Sequence, residues 1–133
     1  MKKVLIGAGA VLLIIVVALT LFSMRYRKMV QRVESETVES VRLESVEDGV
    51  YRGSFSEFLV SVDLEVTIKD HRITNIEILK QNAGPGYEAR ETLDRVRDAQ
   101  SPDVDAVSGA TGSSKAIMIA VYNALKKPAP KRE

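Results

Sequence analysis

The chain has no cysteine and a single histidine among its 133 residues. Without cysteine it cannot form disulfides, a lipoprotein anchor, thiolate metal sites or iron–sulfur clusters of its own. The one histidine, His71, falls in a predicted hairpin turn, where we expect an exposed residue rather than a catalytic base. Neither sign of charge is in excess, because 19 Lys and Arg residues oppose 18 Asp and Glu residues. Nucleic-acid binding is therefore not expected.

The longest uninterrupted feature is an apolar run from Val4 to Phe22. About 19 residues at 1.5 Å each give nearly the thickness of a bilayer core. A cleaved signal peptide is the competing interpretation. Signal peptides usually have an apolar run of ~7 to 15 residues followed by a small-x-small cleavage site, whereas the run here is longer and no convincing site of that kind follows it. We therefore predict that residues 1–24 form an uncleaved transmembrane anchor.

Basic residues flank this run on both sides. They are Lys2 and Lys3 before it, and Arg25, Arg27, Lys28 and Arg32 after it. Counted alone, the larger number on the C-terminal flank would keep the following domain in the cytoplasm. Residues 25–47 are charged, and glycine is absent from Met29 to Glu47. Their apolar repeat is too short for a coiled coil, so we predict a solvated helical or irregular linker.

Three strands are predicted to follow. Val50 to Ser56 comes after an Asp-Gly turn signal, and from Val60 to Lys69 apolar and polar residues alternate with the two-residue period of a half-buried strand. Asp70 and His71 then form a tight connection to a third strand, Ile73 to Leu79. Short connections imply an antiparallel meander, because parallel strands would need long crossovers.

Two helices complete the predicted domain, residues 48–127. The first runs from Tyr87 to Ala99 with Leu93 and Val96 on its apolar side, and the second from Ser113 to Lys127. The second has an apolar stripe of Ile117, Ala120, Val121 and Ala124. Residues 128–133 are predicted to be a disordered tail. The expected class is α+β: a small antiparallel meander with two packed helices, preceded by one transmembrane helix.

The segment from Asp105 to Thr111, followed by Gly112, has the composition of a phosphate cradle with its own hydroxyl nucleophile. Small residues let a phosphate approach the main chain, and the positive end of the next helix would stabilise its charge. A nucleotide P-loop is excluded, because Lys115 is preceded by Ser114 and followed by Ala116 rather than lying in Gly-Lys-Ser/Thr. The residues alone indicate an anion site with an attachment point.

The same segment resembles the signature of the FMN-binding domain of sodium-pumping NADH:quinone reductases and related electron-transport complexes. That signature is Asp, two variable residues, Ser or Thr, Gly, Ala, then Thr or Ser, and Asp105, Ser108, Gly109, Ala110 and Thr111 fill its fixed places. Ordered matches continue along the domain. They are Asp48-Gly49-Val50-Tyr51-Arg52-Gly53, Val66-Thr67-Ile68-Lys69-Asp70, Ile73-Thr74-Asn75-Ile76 and Pro85-Gly86.

The resemblance implies a cofactor and the residues that bind it. In many family members a flavin transferase links the FMN phosphate to the last hydroxyl of the signature as a phosphoester, which here is Thr111. The cofactor-binding residues implied are Thr111, Ser108, Gly109, Ala110, Gly112, Asp105, Pro85, Gly86 and Tyr87. No catalytic residue and no metal ligand is predicted, and Thr111 acts as an acceptor because no base lies near it in sequence.

Two positions keep alternative interpretations. Asp105 either binds backbone N–H groups of the Ser108–Thr111 turn or helps to hold a divalent ion during attachment. Tyr87 either lies against a flat flavin ring or packs in the core behind a Pro-Gly turn. Where family members often carry a threonine before Pro-Gly, this chain has Gly84.

The resemblance further implies a membrane-anchored flavoprotein that relays electrons between membrane proteins, rather than a complete oxidoreductase. The expected partners are a flavin transferase, membrane electron-transfer proteins and the lipid bilayer. Because covalently flavinylated members usually face outside, we expect an extracytoplasmic domain on a single-pass anchor, against the count of basic flanking residues. The alternative function is a non-redox, membrane-tethered accessory module with noncovalent FMN or none.

Overall fold

A computed structural model describes residues 1–126 of the chain. In chain order its elements are helix α1 (Lys2–Ser35), a 3₁₀ turn (Leu43–Ser45), strands β1 (Gly49–Glu57), β2 (Val60–Lys69) and β3 (Arg72–Asn82), and helices α2 (Glu91–Ala99) and α3 (Thr111–Leu125). The predicted α+β class is confirmed. The predicted disordered tail, residues 128–133, lies outside the described residues.

The sheet is the predicted antiparallel meander, with strand order β1-β2-β3. Along β2, Val62, Leu64, Val66 and Ile68 are buried while the residues between them are partly exposed, as the alternation predicts. The Asp70-His71 turn holds both residues at positive φ, 51° and 58°. Such turns match the twist of a hairpin, so Lys69 and Arg72 remain paired across it.

Helix α3 lies on the buried face of the sheet and contacts β1, β2, α1 and α2. Its predicted stripe, Ile117, Ala120, Val121 and Ala124, is buried. Met118, Ile119 and Leu125 are buried as well, because neighbouring helices cover α3 where the sheet does not. The helix begins at Thr111, two residues earlier than predicted, so Thr111 lies in its first turn.

Helix α1 contains the one span, within the described residues, that is long and apolar enough to cross a membrane. It continues without a break to Ser35, well beyond the apolar run. Met29 and Val33 are buried, at 7% and 6% exposure, in the same core cluster as Ile117 and Val121. Val46 at 1% exposure joins them. The segment predicted to be a solvated linker thus contributes part of the domain's core.

Helix α2 begins at Glu91 rather than at the predicted Tyr87. The Tyr87 N–H donates to the Gly84 carbonyl oxygen at 2.9 Å, which closes a turn instead of a helix. Ala89 then has a φ of 53°, a left-handed conformation that a right-handed helix cannot include. Val96 and Thr92 are fully buried on the inner side of the helix, and Leu93 is half-buried.

Candidate functional site

The loop before α3 is held by one buried serine. Ser114, with 0% exposure, donates from its Oγ to the Ala110 carbonyl oxygen at 2.8 Å and accepts from the Val107 N–H at 2.9 Å. The Ala110 N–H closes the turn on the Val107 carbonyl oxygen at 3.0 Å. Gly109 lies at a φ of 79°, where a side chain would be strained. The small residues of the signature therefore form a defined turn.

Thr111 occupies the first position of α3 and is exposed. The N–H groups in the first turn of a helix have no intrahelical acceptor, and no side chain caps this N-terminus. Unpaired donors and the positive end of the helix dipole make such a terminus favourable for an anion. The Thr111 hydroxyl is consequently placed at a point suited to phosphate.

A cleft of about 660 Å³ opens at this helix terminus. The loop before α3 and its first turn form one wall. The part of α1 beyond the apolar run forms another wall. The lining residues are Tyr26, Met29, Val30, Val33, Glu34, Leu59, Val60, Gly84, Tyr87, Gly109, Ala110, Thr111, Gly112, Ser113 and Lys115. The volume is within the ~300 to 1,000 Å³ typical of small-molecule sites.

The α1 wall was missed by the sequence analysis. Tyr26, Met29, Val30 and Val33 recur on one helical face and line the cleft. This spacing is visible in the sequence, but the segment's many charges favoured a solvated linker. In the sequence, Lys115 serves only to exclude a P-loop. In the structure, Lys115 and Glu34 are the charged residues that line the cleft. An ammonium group near the α3 N-terminus adds to the attraction for an anion.

The central loop reaches the cleft through only part of its predicted residues. Gly84 and Tyr87 line it, whereas Pro85 and Gly86 form the turn between them and do not. Tyr87 is 55% exposed, so the interpretation that packs it in the core is wrong. A Cβ on Gly84 would lie 3.3 Å from Tyr87 Cδ2, so the ring lies close to the Gly84 backbone.

Asp105 and Ser108 lie outside the cleft lining. The Asp105 side chain is exposed and borders a separate surface depression with Arg95 and Asp103. Its carbonyl oxygen and that of Ala106 accept from Arg95 Nη1 at 2.9 and 3.0 Å. Within residues 1–126 the Asp105 carboxylate makes no hydrogen bond, and Ser114 rather than Asp105 receives the Val107 N–H. The turn thus forms without hydrogen bonds from its backbone N–H groups to the Asp105 side chain.

Other polar groups do not assemble a reactive centre. His71 is exposed, with its Nδ1 3.1 Å from the Val46 carbonyl oxygen, at the hairpin end of β2 remote from the cleft. In the described part of the chain, no three His, Cys, Asp or Glu side chains form a group that could hold a metal ion. The cleft itself combines an anion-favouring end with an apolar wall. It suits a ligand that has a phosphate and a larger part with apolar surface.

The chain is similar to known proteins in sequence and in fold. The sequence model of the FMN-binding domain family matches residues 60–126, from the start of β2 to the end of α3. An uncharacterized protein of Treponema pallidum (strain Nichols) is 34% identical over 88 residues, which are 64% of this chain and 24% of that protein. This chain therefore spans about a quarter of that relative's length.

A similar fold occurs in a solved structure, the crystal structure of the CPE2226 protein from Clostridium perfringens. The two superpose with a TM-score of 0.50 over 61% of this chain and 87% of that one, at 19% sequence identity. At that identity the likeness concerns the fold alone. The meander with its packed helices is thus an arrangement that also occurs in this solved protein.

Proposed function

The chain belongs to the FMN-binding domain family, and from this premise we propose that it is a membrane-anchored flavoprotein with FMN linked covalently to Thr111. One observation carries the proposal: the exposed Thr111 hydroxyl lies at an uncapped helix N-terminus that opens into a 660 Å³ cleft. The N–H groups of the first α3 turn and Lys115 hold the phosphate. Tyr26, Tyr87 and the apolar residues of α1 hold the ring.

Attachment uses FAD as the donor and an external flavin transferase as the catalyst. The Thr111 oxygen forms a bond to the FMN-side phosphorus while the pyrophosphate bond breaks and AMP leaves. The hydroxyl proton passes to a base on the transferase, because an unactivated threonine is a poor nucleophile. The exposure of Thr111 supports this role, since a second enzyme must reach it.

Bound FMN supplies electron transfer, and the chain's own residues position it. We propose that the protein relays electrons between membrane redox partners and that its domain faces the extracytoplasmic side. The apolar residues of α1 would exclude water from the part of the ring that they contact, and such exclusion affects the reduction potential of a flavin.

Attachment is tested by producing the full chain with and without a flavin transferase and recording flavin fluorescence on a denaturing gel. We expect a fluorescent band that requires the transferase and is lost in Thr111→Ala. Thr111→Ser should keep the band, because it retains the hydroxyl. Thr37→Ala is the matched control, since it removes an exposed threonine hydroxyl outside the signature and the cleft and should keep the band. A band that persists in Thr111→Ala would assign the attachment elsewhere.

The relay is tested on the flavinylated chain in host membrane vesicles. Addition of a respiratory-chain donor should bleach the flavin absorbance, and an oxidant should restore it. A flavin that stays oxidised under these conditions would favour the non-redox accessory module. Flavin that binds but is released on denaturation would indicate noncovalent binding. Protease added to intact cells should remove an extracytoplasmic domain and would leave a cytoplasmic one untouched.

A further inference from the structure

The turn between β1 and β2 presents two large apolar residues, Phe58 and Leu59, each 41% exposed. We propose that this turn is a second membrane contact. The Phe58 and Leu59 side chains enter the bilayer interface beside α1 and hold the candidate FMN cleft against the membrane surface. The inference rests on the proposed membrane anchor, goes beyond the rest of the proposed function and does not depend on flavin.

The position of the turn relative to α1 carries the proposal. The ring of Phe58 meets that of Phe22 edge to face, with centroids 5.7 Å apart and planes at 62°. Phe22 is the last residue of the apolar run, and Ser23 and Arg25 follow closely. Because the end of the run defines where a membrane helix leaves the hydrocarbon core, the turn lies at the boundary of the bilayer.

The backbone conformation at Phe58 is unusual for a large, solvent-exposed side chain. Phe58 has a φ of 24°, in the region that hairpin turns normally assign to glycine, asparagine or aspartate. A bulky aromatic side chain at such a position is both strained and exposed to solvent. Transfer of the two side chains into the interface removes their apolar surface from water, which offsets this cost.

The charges around the turn favour lipid as the occupant over a protein partner. Arg25, Arg27 and Lys28 are exposed on α1 directly beyond Phe22, where anionic headgroups would lie. Tyr26, 47% exposed, occupies the level at which aromatic side chains anchor membrane proteins. The apolar turn therefore lies beside residues of α1 that suit the membrane interface.

This placement brings the cleft to the membrane. Tyr26 and Leu59 both line it, and Tyr26 follows Phe22 by one helical turn, about 6 Å of rise. The cleft mouth thus lies next to the headgroup region, while the Asp70-His71 turn is at the far end of the ten-residue strand β2, roughly 30 Å away. A redox partner embedded in the membrane can therefore approach the cleft closely. A partner bound at the Asp70-His71 turn would be farther from it.

The absence of tryptophan from the sequence permits a direct test. Phe58→Trp and Leu59→Trp each place a single reporter on the turn of the full chain, in vesicles of phosphatidylcholine and phosphatidylglycerol in equal parts. The measurement is the ratio of emission in acyl-brominated lipid to emission in ordinary lipid, which cancels any effect of bound flavin. Lys69→Trp is the matched control, because Lys69 is exposed at the opposite end of β2.

We expect brominated lipid to remove most of the emission of Phe58→Trp and Leu59→Trp and to leave that of Lys69→Trp unchanged. Quenching of either turn variant alone also supports the contact, since one side chain then reaches the acyl chains. Emission from both turn variants that resembles the control would overturn the proposal and leave the turn to a protein partner. Loss of covalent flavin would not alter the measurement, so the two proposals fail separately.

Discussion

Strand β1 touches helix α3 through its backbone at Gly53 and Ala120. A Cβ at Gly53 would overlap the Ala120 carbonyl oxygen and lie 2.8 Å from both the N and the Cβ of Ala124. Both neighbours belong to a helix whose inner residues are 0 to 4% exposed at Ala120, Val121 and Ala124. The absence of a side chain at Gly53 is therefore what lets α3, and the Thr111 turn at its start, lie directly on the sheet.

Gly53→Ala is expected to lower the free energy of unfolding by about 3 kcal/mol, since the colliding atoms are backbone and cannot rotate away. Thermal unfolding of the full chain in detergent, followed by near-ultraviolet circular dichroism, measures the change. Gly112→Ala is the control: the same substitution meets nothing within 4 Å on the same helix and should be neutral or slightly stabilising. Equal melting temperatures for Gly53→Ala and the parent chain would contradict the close contact.

Ser114→Ala should destabilise the protein by about 2 kcal/mol, because the partly buried Val107 N–H loses its acceptor. The Ala110–Thr111 turn also loses its restraint, so the rate of flavin attachment should fall even at temperatures where the protein is folded. Unfolding curves and a time course of in-gel fluorescence give the two quantities. Ser108→Ala removes an exposed hydroxyl and should change stability by less than about 0.5 kcal/mol. Equal losses of stability in Ser114→Ala and Ser108→Ala would contradict the role of Ser114 in holding the turn.

Tyr26→Ala is expected to weaken noncovalent FMN binding about tenfold, because the ring loses an aromatic contact and apolar surface on the α1 wall. The measurement is FMN titration of the full chain produced without a transferase. Tyr122→Ala serves as the control, since Tyr122 is a half-buried tyrosine of α3 outside the cleft lining. An unchanged affinity in Tyr26→Ala would show that α1 does not contact the ligand.

Asp63 should contribute a small, pH-dependent stabilisation. The Arg52 guanidinium binds its carboxylate through two hydrogen bonds, one of them 2.9 Å from Nε to Oδ1, and holds the Asp63 pKa below the ordinary 3.8. A carboxyl whose folded pKa is lowered stabilises the fold above its unfolded pKa. That stabilisation is lost as the pH falls through the folded value.

The test compares Asp63→Asn with the parent chain by denaturant unfolding across this range. The difference should be constant near neutral pH, begin to fall as the pH nears the ordinary 3.8 and vanish below the lowered folded pKa. It should be modest, because both side chains are partly exposed, at 54% and 27%. In an Arg52→Gln background the same substitution should show a much weaker dependence, because the Lys80 charge alone then lowers the Asp63 pKa. A dependence of equal size in both backgrounds would refute the pairing.

The local elements follow from local patterns in the sequence. The alternation from Val60 to Ile68 specifies a half-buried strand, and the two-residue Asp70-His71 connection leaves only an antiparallel partner. The apolar run up to Phe22 is long enough to cross a bilayer, which its length and composition alone show. The small residues from Ser108 to Gly112 likewise indicate an anion-binding turn, since that chemistry depends on neighbours in the chain.

The remaining features depend on contacts between distant segments. The sequence could not show that Met29 and Val33 pack on α3, because the charges around them fit a solvated linker equally well. Nor could it show that Ser114 rather than Asp105 holds the turn, since both are polar residues within reach of the same backbone. By itself the sequence determined the strands, the span and the signature, which need only local periodicity and composition. Only the tertiary structure decided that α1 forms a wall of the cleft and that Phe58 meets Phe22, because those contacts depend on how the helices settle on the sheet.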